Sequence, residues 1–309
     1  NFSKKLSLNG FKRQRQTDAS LIRIYFRYIC VQNRSMYTEY QPSHLLVPYI
    51  DNYWEFKGNP DYGMRIHILP DGCTDFIFTL GEVANAVEEG SLIMQPYRSY
   101  FVGPMTKYSE LVTYTESIHM FGVRFLPCGL SCFTNLPLHE FVNSRVSTNE
   151  MKAVFDDTFI EKLGEQKHVT DRIRVVEEYL LAYLARHYQP ADSHVAMAVN
   201  MINHSKGKRS VRSLMDDVCL CQRHFERKFK HYTGFTPKEY SRIVKFKNAV
   251  ELLRTTTSAN LLTTAVDAGY YDLAHFSKEI KSMSGNTPAS FLSLTVPEET
   301  TLTYIEPQR

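Results

Sequence analysis

The sequence lacks any run near the roughly 18 uninterrupted apolar residues of a membrane-spanning helix, so no membrane partner is expected. Glycine and proline number only 14 and 13 in 309 residues, which excludes collagen-type and low-complexity chains. Six cysteines are too few and too scattered for a disulfide scaffold. Several fall where the pattern reads as helix, which suits reduced thiols in the cytoplasm. The first 35 residues have neither the apolar core nor the small-residue cleavage site of a secretory signal, since Arg23 and Arg27 interrupt Leu21 to Val31. No Gly-x-Ser-x-Gly elbow and no phosphate-binding loop is found. What remains is ordinary globular composition, 43% hydrophobic and 22% charged, at about twice the length of one domain.

The net charge of +3 hides an uneven distribution. Residues 1–35 carry a net +7, residues 36–191 a net −8, residues 192–290 a net +6 and residues 291–309 a net −2. An acidic front half followed by a basic back half is expected where only one half meets a polyanion.

Residues 1–35 read as a basic, poorly ordered extension, with Met36 a candidate natural start. From about 40 to 126, short aromatic and β-branched segments alternate with turn residues. They include Met64–Leu69, Asp75–Leu80, Tyr97–Val102, Glu110–Thr115 and His119–Phe125. This is an antiparallel β pattern, a barrel or sandwich with a cupin-like barrel among its forms. After Pro127 the pattern turns helical. A helix end is expected at Leu163-Gly164 and an amphipathic helix over Asp171–His187. The expected domains are therefore a sensor or regulatory domain over 36–188, a linker at 189–193, an all-α domain over 194–291 and a tail over 292–309. The fold class is α+β, multidomain.

Two stretches in the helical part share one pattern about fifty residues apart, from Val211 to Pro237 and from Leu261 to Pro288. Each has a short helix, a tight turn and a second helix with an apolar pair four residues apart. The pairs are Phe225/Phe229 and Phe276/Ile280. Each closes with Gly, one residue and Thr-Pro. Gly269 suits a positive-φ turn and Asp272 is placed to cap the helix after it. Thr236-Pro-Lys-Glu239 is a capping box with Pro at the first helical position. It opens a helix running to about Arg254 that joins the two units.

These residues resemble the DNA-binding domain of AraC/XylS-type transcription regulators. The specific part is GYYDLAHFSKEIKSMSGNTPASF at 269–291, supported by FERKFKHYTGFTPKEY in the first unit. The front segment, through LPDGCTDFIF at 69–78 and GVRFLPCGL at 122–130, looks like a sensor domain found ahead of some such regulators, with no assigned ligand. The sequence departs from the family at Met215, Cys221, Thr264 and Ile280. The resemblance implies that each second helix enters one of two successive major grooves, about 34 Å apart. In the first, Gln222, Arg223, Glu226 and Arg227 match the groove-facing positions, with Arg suited to guanine, Gln to adenine and Glu to cytosine. Arg209, Arg212 and Lys230 are expected on phosphates. In the second, Leu273, Ala274, His275, Ser277 and Lys278 match, with Lys281 on an exposed face. Residues 205–254 carry a net +8 and 255–290 a net −1, so the first unit is expected to supply most phosphate affinity. Double-stranded DNA is the expected partner. RNA polymerase, an unknown small-molecule effector and a second copy of the chain follow by resemblance, in the cytoplasm of a bacterium with nucleoid association when DNA-bound.

A metal-binding or small-molecule enzyme built on the β-rich half is the main rival. His67, Asp71, Cys73 and Asp75 cluster there and His119 lies on another expected strand, but no cupin-type His-x-His pair is present. Cys128, Cys132 and His139 lack a fourth ligand for structural zinc. No catalytic residue, metal or cofactor is therefore expected, Asp71-Gly72 reads as a turn, and the thiols read as buried. An architectural DNA binder without an effector is the other rival.

Overall fold

The computed structural model describes residues 36–60, 64–81, 86–88, 94–113, 115, 117–151, 154–155, 157–187, 189–218, 220–255 and 260–292. It also describes two short strands at 29–30 and 303–305. The basic extension and most of the tail thus lie outside the described residues.

The front half is two facing sheets, the sandwich alternative of the expected fold. One sheet contains β2 (Tyr37–Tyr40), β3 (Ile50–Gly58), β5 (Thr74–Thr79), β7 (Ser99–Val102), β9 (Ile118–Phe125) and β10 (Arg145–Ser147), in the order β10-β7-β5-β9-β3-β2. The other contains β1 (Ile29–Cys30), β4 (Met64–Ile68), β6 (Ala86–Glu88), β8 (Ser109–Thr113) and β11 (Thr303–Ile305), in the order β1-β11-β4-β8-β6. Every pairing is antiparallel except that of β1 with β11.

Period-two alternation sorts the first sheet into two buried faces. Tyr53, Phe76, Phe78, Phe121 and Val123 face one way, against Phe155, Phe159, Val176 and Leu180 from 154–187. Their alternates Trp54, Phe56, Ile77 and Met120 face the other sheet, where they meet Ile66 and Leu111. Both faces are covered, so β5 is buried along its whole length. The covering helices are α1 (Asp157–Gly164) and α2 (Val169–His187), near the helix end and helix expected there. Arg172 anchors α2 to the sheet, donating to Glu55 Oε1 at 3.1 Å and to the Leu163 carbonyl at 3.3 Å.

The back half is all helix: α3 (Ser193–His204), α4 (Val211–Val218), α5 (Gln222–Thr233), α6 (Pro237–Thr255), α7 (Leu261–Asp267), α8 (Leu273–Ser284) and α9 (Pro288–Leu292). The helix α6 packs against α3, α5, α7, α8 and α9. One core holds all of them together, with Leu214, Phe225 and Phe229 from the first unit and Ala265, Phe276 and Ile280 from the second. Leu69 and Cys128 of the front half enter that core. Tyr240 of α6 lies so close to Gly72 that a Cβ there would stand 2.7 Å from its ring. Among the described residues no helix is long and apolar enough to cross a membrane.

Candidate nucleic-acid interface

The two units repeat one another down to individual hydrogen bonds. In the first, α5 ends at Gly234 with φ +84° and its N–H bonds the Lys230 carbonyl; in the second, α8 ends at Gly285 with φ +75° and its N–H bonds the Lys281 carbonyl. Only glycine adopts that left-handed cap without strain. One residue earlier, the Thr233 hydroxyl donates to the Phe229 carbonyl and accepts from Phe235 N. The Ser284 hydroxyl does the same with Ile280 and Asn286. Pro237 and Pro288 then open α6 and α9. At the start of α6 the Thr236 hydroxyl accepts from Glu239 N at 3.2 Å, and the Glu239 carboxylate accepts from Thr236 N at 2.8 Å, the expected capping box.

The helix starts differ. Asp272 caps α8 by accepting from His275 N at 2.7 Å, and Asn260 caps α7 from Leu262 N and Thr263 N. Cys221 at the start of α5 makes no capping bond. Gly269 has φ +85°, the turn conformation expected of it.

Burying Phe225 and Phe229 turns the rest of α5 outward. Gln222, Arg223, Arg227 and Lys230 are exposed and Glu226 is half-buried. Gln222 Nε2 donates to Glu226 Oε1 at 2.8 Å, so these two side chains hold one another in the unbound protein. On α8, Leu273, Ala274, His275, Lys278 and Lys281 are exposed and Ser277 is half-buried. Leu273 is one of several exposed apolar residues here, with Leu262 and Val266 on α7 and Tyr271, 92% exposed, in the turn before α8. Tyr271 and the exposed Lys238 were not among the expected contacts. The GYYD segment holds Tyr271, but nothing in its sequence separates it from the buried Tyr270.

Counting charges overstates what faces outward. Arg209 is held by Asp217 and donates to the Ser213 hydroxyl at 3.1 Å. Lys228 pairs with Asp192 at 2.6 Å, Arg242 pairs with Glu279 at 2.8 Å, and Lys208 donates to the Asp267 carbonyl at 2.6 Å. Lys245 donates to the Gly269 carbonyl and lies 5.6 Å from the Tyr270 ring centre. Lys247 donates to the Asp71 carbonyl. Arg212, Arg223, Arg227, Lys230 and Lys238 remain exposed in or beside the first unit, against Lys278 and Lys281 on the second. Burial alone would raise the Asp192 carboxyl, but Lys228 and the two backbone N–H groups of α3 hold it below its usual range.

The residues considered for metal are otherwise engaged. His119 bonds Glu55 at 2.9 Å, His67 pairs with Glu110 at 3.2 Å, and Cys73, Cys128 and Cys132 are buried thiols. Burial raises the Glu55 carboxyl, yet the bond and charge of His119, with Arg172, bring it below its usual value. Asp71 does form the expected turn, accepting from Cys73 N at 2.8 Å, and also faces Arg124 at 3.5 Å.

Residues 214–293 match a family described as a helix-turn-helix domain, and residues 38–147 match one described as a domain of unknown function, DUF6597. No curated protein matches the sequence. Among solved structures the chain is similar to ToxT from Vibrio cholerae, 9% identical over 79% of this chain and 99% of that one, with a TM-score of 0.47. It is also similar to a probable AraC family transcriptional regulator from Rhodopseudomonas palustris, 20% identical over 34% of this chain and 100% of that one, with a TM-score of 0.31. A third is the C-terminal domain of AraT, a response regulator from Geobacillus stearothermophilus, 20% identical over 33% of this chain and 84% of that one, at 0.31. Two capped helix-turn-helix units on one joining helix, with the family match over 214–293, make the back half an AraC-type helix-turn-helix domain, and the chain carries a β-rich domain of unassigned role ahead of it.

Proposed function

We propose that the chain recognises a specific DNA sequence by placing α5 and α8 in two successive major grooves, with α5 making the stronger contacts. The observation that supports this most is the exposed set Gln222, Arg223 and Arg227 on a helix whose opposite side is locked into the shared core by Phe225 and Phe229. Arg223 and Arg227 have the planar fork that meets guanine O6 and N7, and Gln222 suits adenine once it leaves Glu226. Lys230 and Arg212 serve phosphates, and Arg209 serves chiefly to hold Asp217. Leu273 and Ala274 offer apolar surface to thymine methyls, while His275, Ser277, Lys278 and Lys281 position the backbone. In this reading residues 194–291 are the DNA-binding domain, 189–193 the connection and 36–188 a regulatory domain sensing a small molecule.

The test is a fluorescence-anisotropy titration against the DNA upstream of its own gene and a scrambled duplex, at several salt concentrations. Arg223→Ala and Arg227→Ala each lower affinity for the specific duplex about 5- to 150-fold, the equivalent of about 1–3 kcal/mol. Arg212→Ala weakens both duplexes alike and flattens the salt slope. Equal binding of both duplexes by the parent and both arginine variants would contradict the assignment.

A further inference from the structure

The alternation that fills one face of the six-stranded sheet with phenylalanines leaves space on the other. Between the two sheets lies a partly open cavity of about 70 Å³. One water needs about 10–15 Å³ on that measure, so the space has room for a small molecule. Its walls are apolar side chains from both sheets, among them Phe56, Ile66, Ile77, Leu111 and Met120. Trp54 and Tyr37 form an aromatic wall, their rings stacked at 5.9 Å. Gly122 makes room for that wall, because a Cβ there would lie 1.9 Å from the indole.

Among the described residues the only charged side chains lining this space are Asp75 and Arg124, and they are matched to each other. Arg124 Nε donates to both oxygens of Asp75, at 3.1 and 3.2 Å, and Asp75 Oδ1 also accepts from Trp54 Nε1 at 2.8 Å. Arg124 Nη1 lies 3.5 Å from Asp71 Oδ2. An anionic ligand would have to take Arg124 from two carboxylates, and a cationic one would have to take Asp75 from Arg124. Either exchange leaves a buried charge unpaired, which costs more than the new contact returns. The same arginine reaches toward the helical half. Asp71, which it faces, accepts through its carbonyl from Lys247 Nζ at 3.1 Å, and Lys247 sits on α6.

We propose that the space between the sheets binds a small neutral, largely apolar molecule, and that Arg124, Asp71 and Lys247 connect its occupancy to α6. The second part rests on the reading of α6 as the helix that carries the two DNA-contacting units; the first part does not. Apolar cavities of this kind stay largely dry and accept ligands such as benzene in other proteins.

Trp54 is the chain's single tryptophan, so its emission reports on this wall alone. The full chain, without DNA, is titrated with 1-hexanol, hexanoate, hexylamine and toluene while emission and melting temperature are followed. 1-Hexanol and toluene shift the emission saturably and raise the melting temperature. Hexanoate and hexylamine do neither, and Ile77→Phe, which fills the space, abolishes the response while the chain keeps its cooperative melt. Equal or tighter binding of hexanoate or hexylamine, or no saturable shift with either neutral compound, overturns the site. In a second arm, DNA affinity is measured with and without 1-hexanol. The parent changes at least threefold and Lys247→Met, with its emission response intact, does not. A ligand that binds the parent without altering DNA affinity overturns the connection and leaves the site standing. A chain that binds the ligand but no DNA overturns the DNA reading instead.

Discussion

Asp51 occupies the irregularity that breaks the register of β3 on β9 between Ile50 and Asn52. Its carboxylate accepts from Asn52 Nδ2 at 3.1 Å, and the residue is half-buried. Desolvation pushes this carboxyl up to about 7, against the pull of Arg124 and Lys247. Between the ordinary carboxylate range and that value the folded chain holds a proton that the unfolded chain has released. Stability therefore falls as pH rises through about 4 to 7 on account of this group, and the full penalty stands above 7. Asp51→Asn removes it. Thermal melts of the two proteins at pH 5 and pH 8 should show the variant's advantage growing with pH, and an equal difference at both values would contradict the assignment. At this scale little was legible beforehand. Asp71, Asp75 and Cys73 stood out as a cluster, but Arg124 and Trp54, which determine what that cluster does, lie far from it in sequence.

Helices carry their own start and stop signals, and the back half was legible for that reason. Asp272, the Thr236–Glu239 box and the two Gly-x-Thr-Pro closures all act locally, and each occupies the place its chemistry required. The departure at Cys221 is equally local: a thiol where α5 needs an acceptor leaves the start of α5 without a side-chain cap. Restoring the hydroxyl with Cys221→Ser should stabilise the chain by about 0.5–1 kcal/mol, while Asp272→Ala should cost about 1 kcal/mol. Denaturant unfolding of the two variants checks both signs, and destabilisation by Cys221→Ser would show that α5 is held by packing alone. Strands were less legible. The five expected strands lie within a residue or two of those found, but nine-residue β3 was not among them. Asp and Asn are residue types that favour turns, and only pairing with β9 makes Asp51 and Asn52 part of an irregularity inside a central strand.

In the whole molecule the two halves share more than a connecting segment. Leu69 and Cys128 enter the helical core, Lys228 of α5 holds Asp192, and Gly234 abuts Pro104, where a Cβ would come within 2.5 Å. None of this has a local signature, so a sequence read segment by segment yields two halves and is silent on how they meet. The charge asymmetry was legible, but six of the basic side chains behind it hold carboxylates or carbonyls within the fold. Most of what stays outward gathers at the first unit, with Lys278 and Lys281 on the second, and that concentration carries the central proposal: α5 and α8, unequal in charge, reading one face of DNA. Selection of bound duplexes from a random library tests it most directly. The enriched sequences should show two blocks about 10–10.5 base pairs apart centre to centre, the more constrained block losing its pattern in Arg223→Ala and the other unchanged. A single block, or no enrichment above the starting pool at low salt, would contradict it.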